Sequence, residues 1–272
     1  MLHLRSIITL FFVVLLNSRT AFAWGKIGHE IIARSSSLIV PQGVYETCQT
    51  SAEDILQHTN DPDMVWKQKR REFKNEPRMH FFHLDDQASD WREQYQKRKI
   101  YNLQSGGLVF RIVEWMTEAK TLRLKRDYDA LRVRLYGLSH YAGDLTQPLH
   151  VTKDYDGQLS GVKDLHSQFE TKMVGRFQKQ IEAQVRSNVT ARKIPPLYAS
   201  LNDFDLITDL ATQSLAKKQR LVDAAKKSIV RQKNGPRFIK KELFQHAGSL
   251  AIDQLTISSQ LWAYIISSIC GK

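Results

Sequence analysis

The chain has 272 residues, with 40 Lys and Arg against 28 Asp and Glu, a formal charge of +12. Apolar residues make up 42% and charged residues 25%, and only 13 Gly and 7 Pro occur, which excludes collagen-like and low-complexity disordered chains. The length suffices for a sizeable core, and the positive excess points to a polyanionic partner or an anionic surface.

The first segment reads as an address. A charged start (Met1 to Arg5) precedes the apolar run Ile7 to Leu16, interrupted only by Thr9, and Ala21-Phe22-Ala23 offers a small-x-small cleavage site. Residues 1–23 are expected to be a secretory signal peptide, and the mature chain, 24–272, an exported protein, periplasmic or secreted. The run is far short of the roughly 20 residues that span a bilayer. Loss of Arg5 and Arg19 lowers the charge by two. Cys48 and Cys270 remain. Export permits a disulfide between them, with two free buried thiols as the alternative, and their spacing excludes a zinc-finger set or a CxxC redox site.

After Trp24-Gly25-Lys26-Ile27-Gly28-His29, apolar periodicity predicts a helix over about 28–37, stopped by Pro41-Gln42-Gly43, and another over 45–57. Residues 58–90 look irregular. Leu108, Ile112, Trp115, Met116 and Ala119 share one helical face. Asp127 and Asp129 sit where an N-cap would start the next helix, which carries Leu131, Leu135, Leu138 and Ala142 and stops at Pro148. A Gly- and Asp-rich loop covers 151–164, and helical patterns resume over 164–185. A loop at 193–205 around Pro195-Pro196 leads to a basic helix over 206–233, broken at Asn234-Gly235-Pro236, and a last helix over 240–268. Strand-like alternation is scarce, with no repeat or linker, so the expectation is one all-α domain.

The chemistry concentrates in histidine and carboxylate pairs. His140 and Asp144 are four apart on a predicted helix, within reach of one ion, and His150 follows the Pro148 break. His166 and Glu170 repeat the spacing. Two such pairs, with a His between them, in a chain of nine His suggest a metal site of the helix-borne zinc type. An acidic and His-rich region, with Asp61, Asp63, His80, His83, Asp85 and Asp86, adds further donors.

The ordered set Trp24-Gly-x-x-Gly-His29, a distant Asp, His80-Phe81, His140-xxx-Asp144-xx-Gln-Pro-Leu-His150 and His166-xxx-Glu170 resembles the superfamily of bacterial zinc phospholipases C and single-strand zinc nucleases of the S1/P1 type. The resemblance runs through nearly the whole mature chain. It implies an all-helical fold with a trinuclear zinc cleft. Asp63, His80, His140 and Asp144 would hold the first zinc, and His150, His166 and Glu170 the second. The free amine and carbonyl of Trp24, with His29 and the shared carboxylate of Asp144, would hold the third. Asp63 and Asp144 would be the catalytic carboxylates, in hydrolysis by a zinc-activated water attacking phosphorus. Phe81 and Lys67 would bind substrate, Phe81 by stacking on a base.

Asp61 remains an alternative to Asp63, and His83 to His80. The nucleases of this type carry an arginine just after the Asp ligand and a carboxylate three after the His, where this chain has Trp66 or Lys67 and His83. The short loop Asp156-Gly-Gln-Leu-Ser-Gly161 and the Glu170 ligand look like the phospholipases, whereas the N-terminal motif looks like the nucleases. Basic runs at Lys67–Arg71, Lys97–Lys99 and on the helix with Lys217, Lys218, Arg220, Lys226, Lys227, Arg231 and Lys233 are candidates for phosphate tracking. Asn188-Val-Thr190 is a formal glycosylation sequon. The expectation is an exported, monomeric, three-zinc phosphoesterase with no protein partner, a nuclease on single-stranded RNA or DNA. A phospholipase C acting at a membrane surface is the alternative, followed by a non-catalytic zinc- or anion-binding protein.

Overall fold

The structure is a computed structural model and describes residues 24–69, 71–99, 101–232 and 235–271. The expected signal peptide, residues 1–23, lies outside them, as do Arg70, Lys233 and Asn234. The architecture is all-α. Helices α1 (Lys26–Ser36), α2 (Val44–Thr47) and α3 (Ala52–His58) come first. The single helix expected over 45–57 is two. Gln49 adopts a left-handed conformation (φ 50°), and the Ser51 side chain accepts a hydrogen bond from the Asp54 amide, starting α3 afresh. A π-helical turn, Pro62–Trp66, and short 3-10 turns follow, and then α4 (Trp91–Arg98), which the sequence reading had not drawn.

Helices α5 (Leu108–Lys125) and α6 (Tyr128–Thr146) pack against each other, and Asp127 caps α6 by accepting from the Ala130 amide at 3.2 Å. Next comes an unbroken helical run of α7 (Leu165–Ser167), a π-helical segment (Gln168–Met173) and α8 (Val174–Arg176). It leads to α9 (Gln178–Ala191), α10 (Leu197–Ser200), α11 (Asp203–Leu215) and α12 (Lys218–Lys227). The basic helix expected to reach residue 233 stops at 227. A short antiparallel hairpin replaces its end, β1 (Ile229–Gln232) pairing with β2 (Gly235–Phe238). Ile229 and Val230 are β-branched and precede an Asn-Gly pair, a combination that favours a tight hairpin over a helix.

The last helix, α13 (Lys240–Cys270), is the axis of the core. It packs on α1, α5, α6, α9 and α12, burying Leu250, Leu255, Leu261, Trp262, Ile265 and Ile269. No helix among the described residues is long and apolar enough to cross a membrane. Cys270, at the end of α13, forms a disulfide with Cys48, just after α2, across a sequence separation of 222 residues. A loop that long removes much chain entropy from the unfolded state. Replacing both cysteines with serine is therefore expected to cost about 4 kcal/mol, read as a fall in Tm of roughly 10 °C in a thermal melt; an unchanged Tm would refute a stabilising role for the bridge.

Candidate metal centre

Helix α6 carries the first pair. His140 and Asp144 lie one turn apart on one face, both fully buried, with Nε2 3.4 Å from Oδ2. Pro148 cannot continue the helix. The Gln147 side chain accepts from the Leu149 amide, opening the 3-10 turn Pro148–Val151, which brings His150 back to within 3.9 Å of Asp144. Helix α1 lays His29 on the same face. Its ring stacks on that of His140 at 3.8 Å, and Nε2 stands 3.5 Å from Asp144 Oδ1. Gly143 makes this approach feasible, since a Cβ there would lie 2.9 Å from the His29 ring. Gly28 plays the same part for Trp24. A Cβ there would lie 2.8 Å from the tryptophan Cβ, and Trp24 is fully buried with its ring 5.4 Å from that of Phe169.

The other carboxylates sit in the two π-helical segments, a backbone form frequent at functional sites. Asp63 Oδ1 lies 3.4 Å from His80 Nδ1 and 3.8 Å from His140 Nε2, and accepts from Lys67 Nζ at 2.5 Å. Glu170 Oε2 lies 2.7 Å from His166 Nε2 and 3.7 Å from His150 Nε2, and accepts from Gln147 at 3.0 Å. Three buried groups result, each with its ligand atoms within 4.8 Å of one another: His29, His140 and Asp144; Asp63, His80 and His140; and His150, His166 and Glu170.

The hydrogen bonds around these groups fix which nitrogens face inward. His140 Nδ1 faces the Thr59 carbonyl at 2.8 Å, and His150 Nδ1 the His80 carbonyl at 2.5 Å. A carbonyl only accepts, so both histidines donate from Nδ1 and turn Nε2 into the site. Those Nε2 atoms meet other imidazoles, His140 Nε2 to His80 Nδ1 at 3.1 Å and His150 Nε2 to His166 Nε2 at 3.0 Å. Both nitrogens of His29 and Asp144 Oδ1 are buried without a hydrogen-bond partner. Burial and the charge of His140 hold His29 well below the ordinary imidazole range. Burial alone would raise Asp144, but the charges of His140 and His150 hold it well below the usual carboxylate range. Burial alone would lower His80, but its hydrogen bonds to Asp144 and Glu76 and the charge of Asp63 push it up to about 9, and the Glu170 carboxylate likewise raises His166 against burial. A cation entering the site therefore displaces protons from these imidazoles, while the carboxylates are already ionised. The donor set is all nitrogen and oxygen, because both cysteines are in the disulfide, and it suits zinc.

Several expectations resolve into positions. Asp63 is in the cluster, whereas Asp61 pairs with His58 Nδ1 at 2.8 Å. His80 is in the cluster, whereas His83 is half-buried outside it, stacked on Phe81 at 4.6 Å and parallel to Tyr155 at 6.2 Å. The basic runs are partly engaged in local pairs. Lys97 pairs with Glu93, Lys99 lies over the Tyr95 ring, and Lys218 bonds Asp154 at 3.0 Å.

The sequence reading missed the supports. Glu76 is fully buried, faces His80 Nε2 at 3.2 Å and accepts the Tyr141 hydroxyl, so a carboxylate orients this histidine from behind. Its signal was legible, since Glu76 and His80 have the same spacing of four as the two pairs that were noticed. Asp156 accepts from the Asp164 and His166 amides at 3.1 and 3.3 Å, tying the 151–164 loop to α7.

The family model for S1/P1 nuclease matches residues 24–269. No curated protein matches the chain in sequence. Among solved structures, the alpha-toxin of Clostridium perfringens from an avian strain aligns over 93% of this chain at 15% identity with a TM-score of 0.52. The chain spans 65% of that toxin's length, and the likeness is one of fold. All nine residues expected at the metal centre fall inside the matched span, and the chain belongs to the S1/P1 nuclease family.

Proposed function

We propose that the chain is an exported zinc-dependent nuclease that cleaves phosphodiester bonds of single-stranded RNA or DNA. The observation that carries this reading is the convergence of three buried His and carboxylate groups around the ionised, fully buried Asp144. When bound, zinc supplies Lewis acidity, activating water for attack on phosphorus and offsetting charge on the leaving oxygen.

The chain's own residues do the rest. Asp63, His80, His140 and Asp144 would hold one ion, and His150, His166 and Glu170 a second. His29, Asp144 and the amine and carbonyl of Trp24 would hold a third, with Asp144 serving two of the sets. Lys67, bonded to Asp63, would lend a positive charge to a phosphate bound at this centre. Phe81, half-exposed against His83, offers a ring face to a base. Glu76 and Gln147 hold His80 and Glu170 in place, so the ligands need no reorganisation. A phospholipase C reading draws on the short 156–161 loop and on Glu170.

The deciding assay offers the mature, zinc-loaded protein single-stranded DNA, RNA and phosphatidylcholine vesicles side by side, with Asp144→Asn as control. Cleavage of nucleic acid that falls at least a hundredfold in the control is expected; lipid turnover without nucleic acid cleavage would overturn the nuclease reading. A Met added before Trp24 turns its amine into an amide, so elemental analysis should find two zinc ions per chain instead of three. Three ions with full activity would remove Trp24 from the ligand set. Glu76→Gln should weaken zinc binding about 10–100-fold, measured by chelator competition, with Tyr141→Phe losing less; unchanged affinity in Glu76→Gln would assign Glu76 to packing alone.

A further inference from the structure

A second feature lies behind the helical run that carries His166 and Glu170. Their side chains are buried in the metal centre, but residues of the same run spaced by four, Asp164, Gln168, Lys172 and Arg176, line an open groove of about 860 Å³. The opposite wall is the second hairpin strand and the start of α13, which contribute Arg237, Lys240 and Lys241. Lys163 completes the rim. Six cationic side chains, all exposed, thus surround one groove whose lining holds a single carboxylate, Asp164.

What sets these cations apart is their convergence on one concavity. Elsewhere on the surface Lys26, Lys97, Lys120, Arg132, Arg134 and Lys153 pair with a carboxylate within 4.0 Å, and exposed lysines such as Lys179, Lys226 and Lys227 stand singly on helix faces. None of the six groove cations has a carboxylate partner among the described residues; Arg176 instead lies over the Phe177 ring at 5.9 Å. Six like charges facing one space repel one another, and one carboxylate in the lining leaves a clear positive excess there. A concave channel with cations on both walls fits a linear polyanion, whose charges run along a line, better than a flat membrane face. Along the run, Arg176 stands about 15 Å from His166 at helical rise.

We propose that this groove is a backbone-binding exosite that holds the phosphates of a single-stranded nucleic acid extending away from the scissile bond, so that the enzyme prefers long strands to short ones. The inference rests on the nuclease reading above. Because phosphate contacts carry no sequence information, the preference is for length and not for base.

The test compares zinc-loaded wild type with the triple variant Arg176→Ala, Arg237→Ala, Lys241→Ala, which takes exposed residues from both walls and spares every ligand. Matching thermal melts and zinc contents establish that the variant is folded and loaded. Each enzyme is given a dinucleotide and a single-stranded oligonucleotide of about 20 nucleotides, longer than typical single-fold sites of about 4–16. The expected result is a fall of roughly tenfold in the long-to-short ratio of kcat/KM, carried by KM. The dependence of log(kcat/KM) on log salt for the long strand should become shallower by about 2. An unchanged ratio, with both substrates still cleaved, overturns the exosite alone. Loss of binding to phosphatidylserine vesicles with the ratio unchanged gives the groove to a membrane and also overturns it. A wild type that cleaves neither substrate overturns the nuclease reading beneath it.

Discussion

A carboxylate with no solvent exposure organises this molecule. Asp144 is held ionised in the interior, and leaving a buried charge unpartnered costs about 3–5 kcal/mol. The surroundings answer that cost from several directions. Helix α6 supplies His140 one turn away, the break at Pro148 returns His150, and α1 is drawn so close that a Cβ at position 143 would stand 2.9 Å from the His29 ring. Asp63 and His80 arrive from irregular segments that no hydrophobic stripe would place there. The distances among these groups, 2.7 to 3.9 Å, crowd nitrogen and oxygen donors into a buried space that a shared cation would suit. Stability and metal binding are therefore one problem here, as expected where the ligands must be deprotonated before they can bind.

Much of this was readable in order along the chain. The spacing of four in His140–Asp144 and His166–Glu170 identifies a helical face whatever the tertiary structure, and Asp127 and Pro148 bound α6 by local chemistry. The choice between Asp61 and Asp63 was not readable, because both lie within one turn and differ only in which neighbour they meet. Asp61 meets His58, and Asp63 meets His80 from a distant segment. At 229–238 a basic helical periodicity competes with β-branching at Ile229 and Val230 and with the following Asn-Gly, and the hairpin prevails. Glu76 lies in the stretch 58–90 that reads as irregular, where nothing in the pattern marks a buried side chain, yet it is fully buried.

The distribution of charge was least legible. Runs such as Lys67–Arg71 and the α12 lysines stand out in one dimension, and in three several of them are spent on neighbours. Lys67 bonds a carboxylate of the cluster, and Lys218 braces Asp154 in the 151–164 loop. The unpaired concentration of positive charge is instead assembled from residues 163, 172, 176, 237, 240 and 241, none of which forms a run of more than two. Net charge says that a polyanion is welcome; the fold decides where it lies.

The disulfide carries a consequence for the order of assembly. A chain delivered from its N-terminus presents Cys48 first, and the partner thiol follows 222 residues later. With two cysteines in the sequence, oxidation has a single intramolecular product, so no reshuffling among wrong bridges is needed. In the folded protein it holds the end of α13, the helix on which α1, α6 and α9 pack, to the segment just after α2, so the two ends of the chain close over the core together.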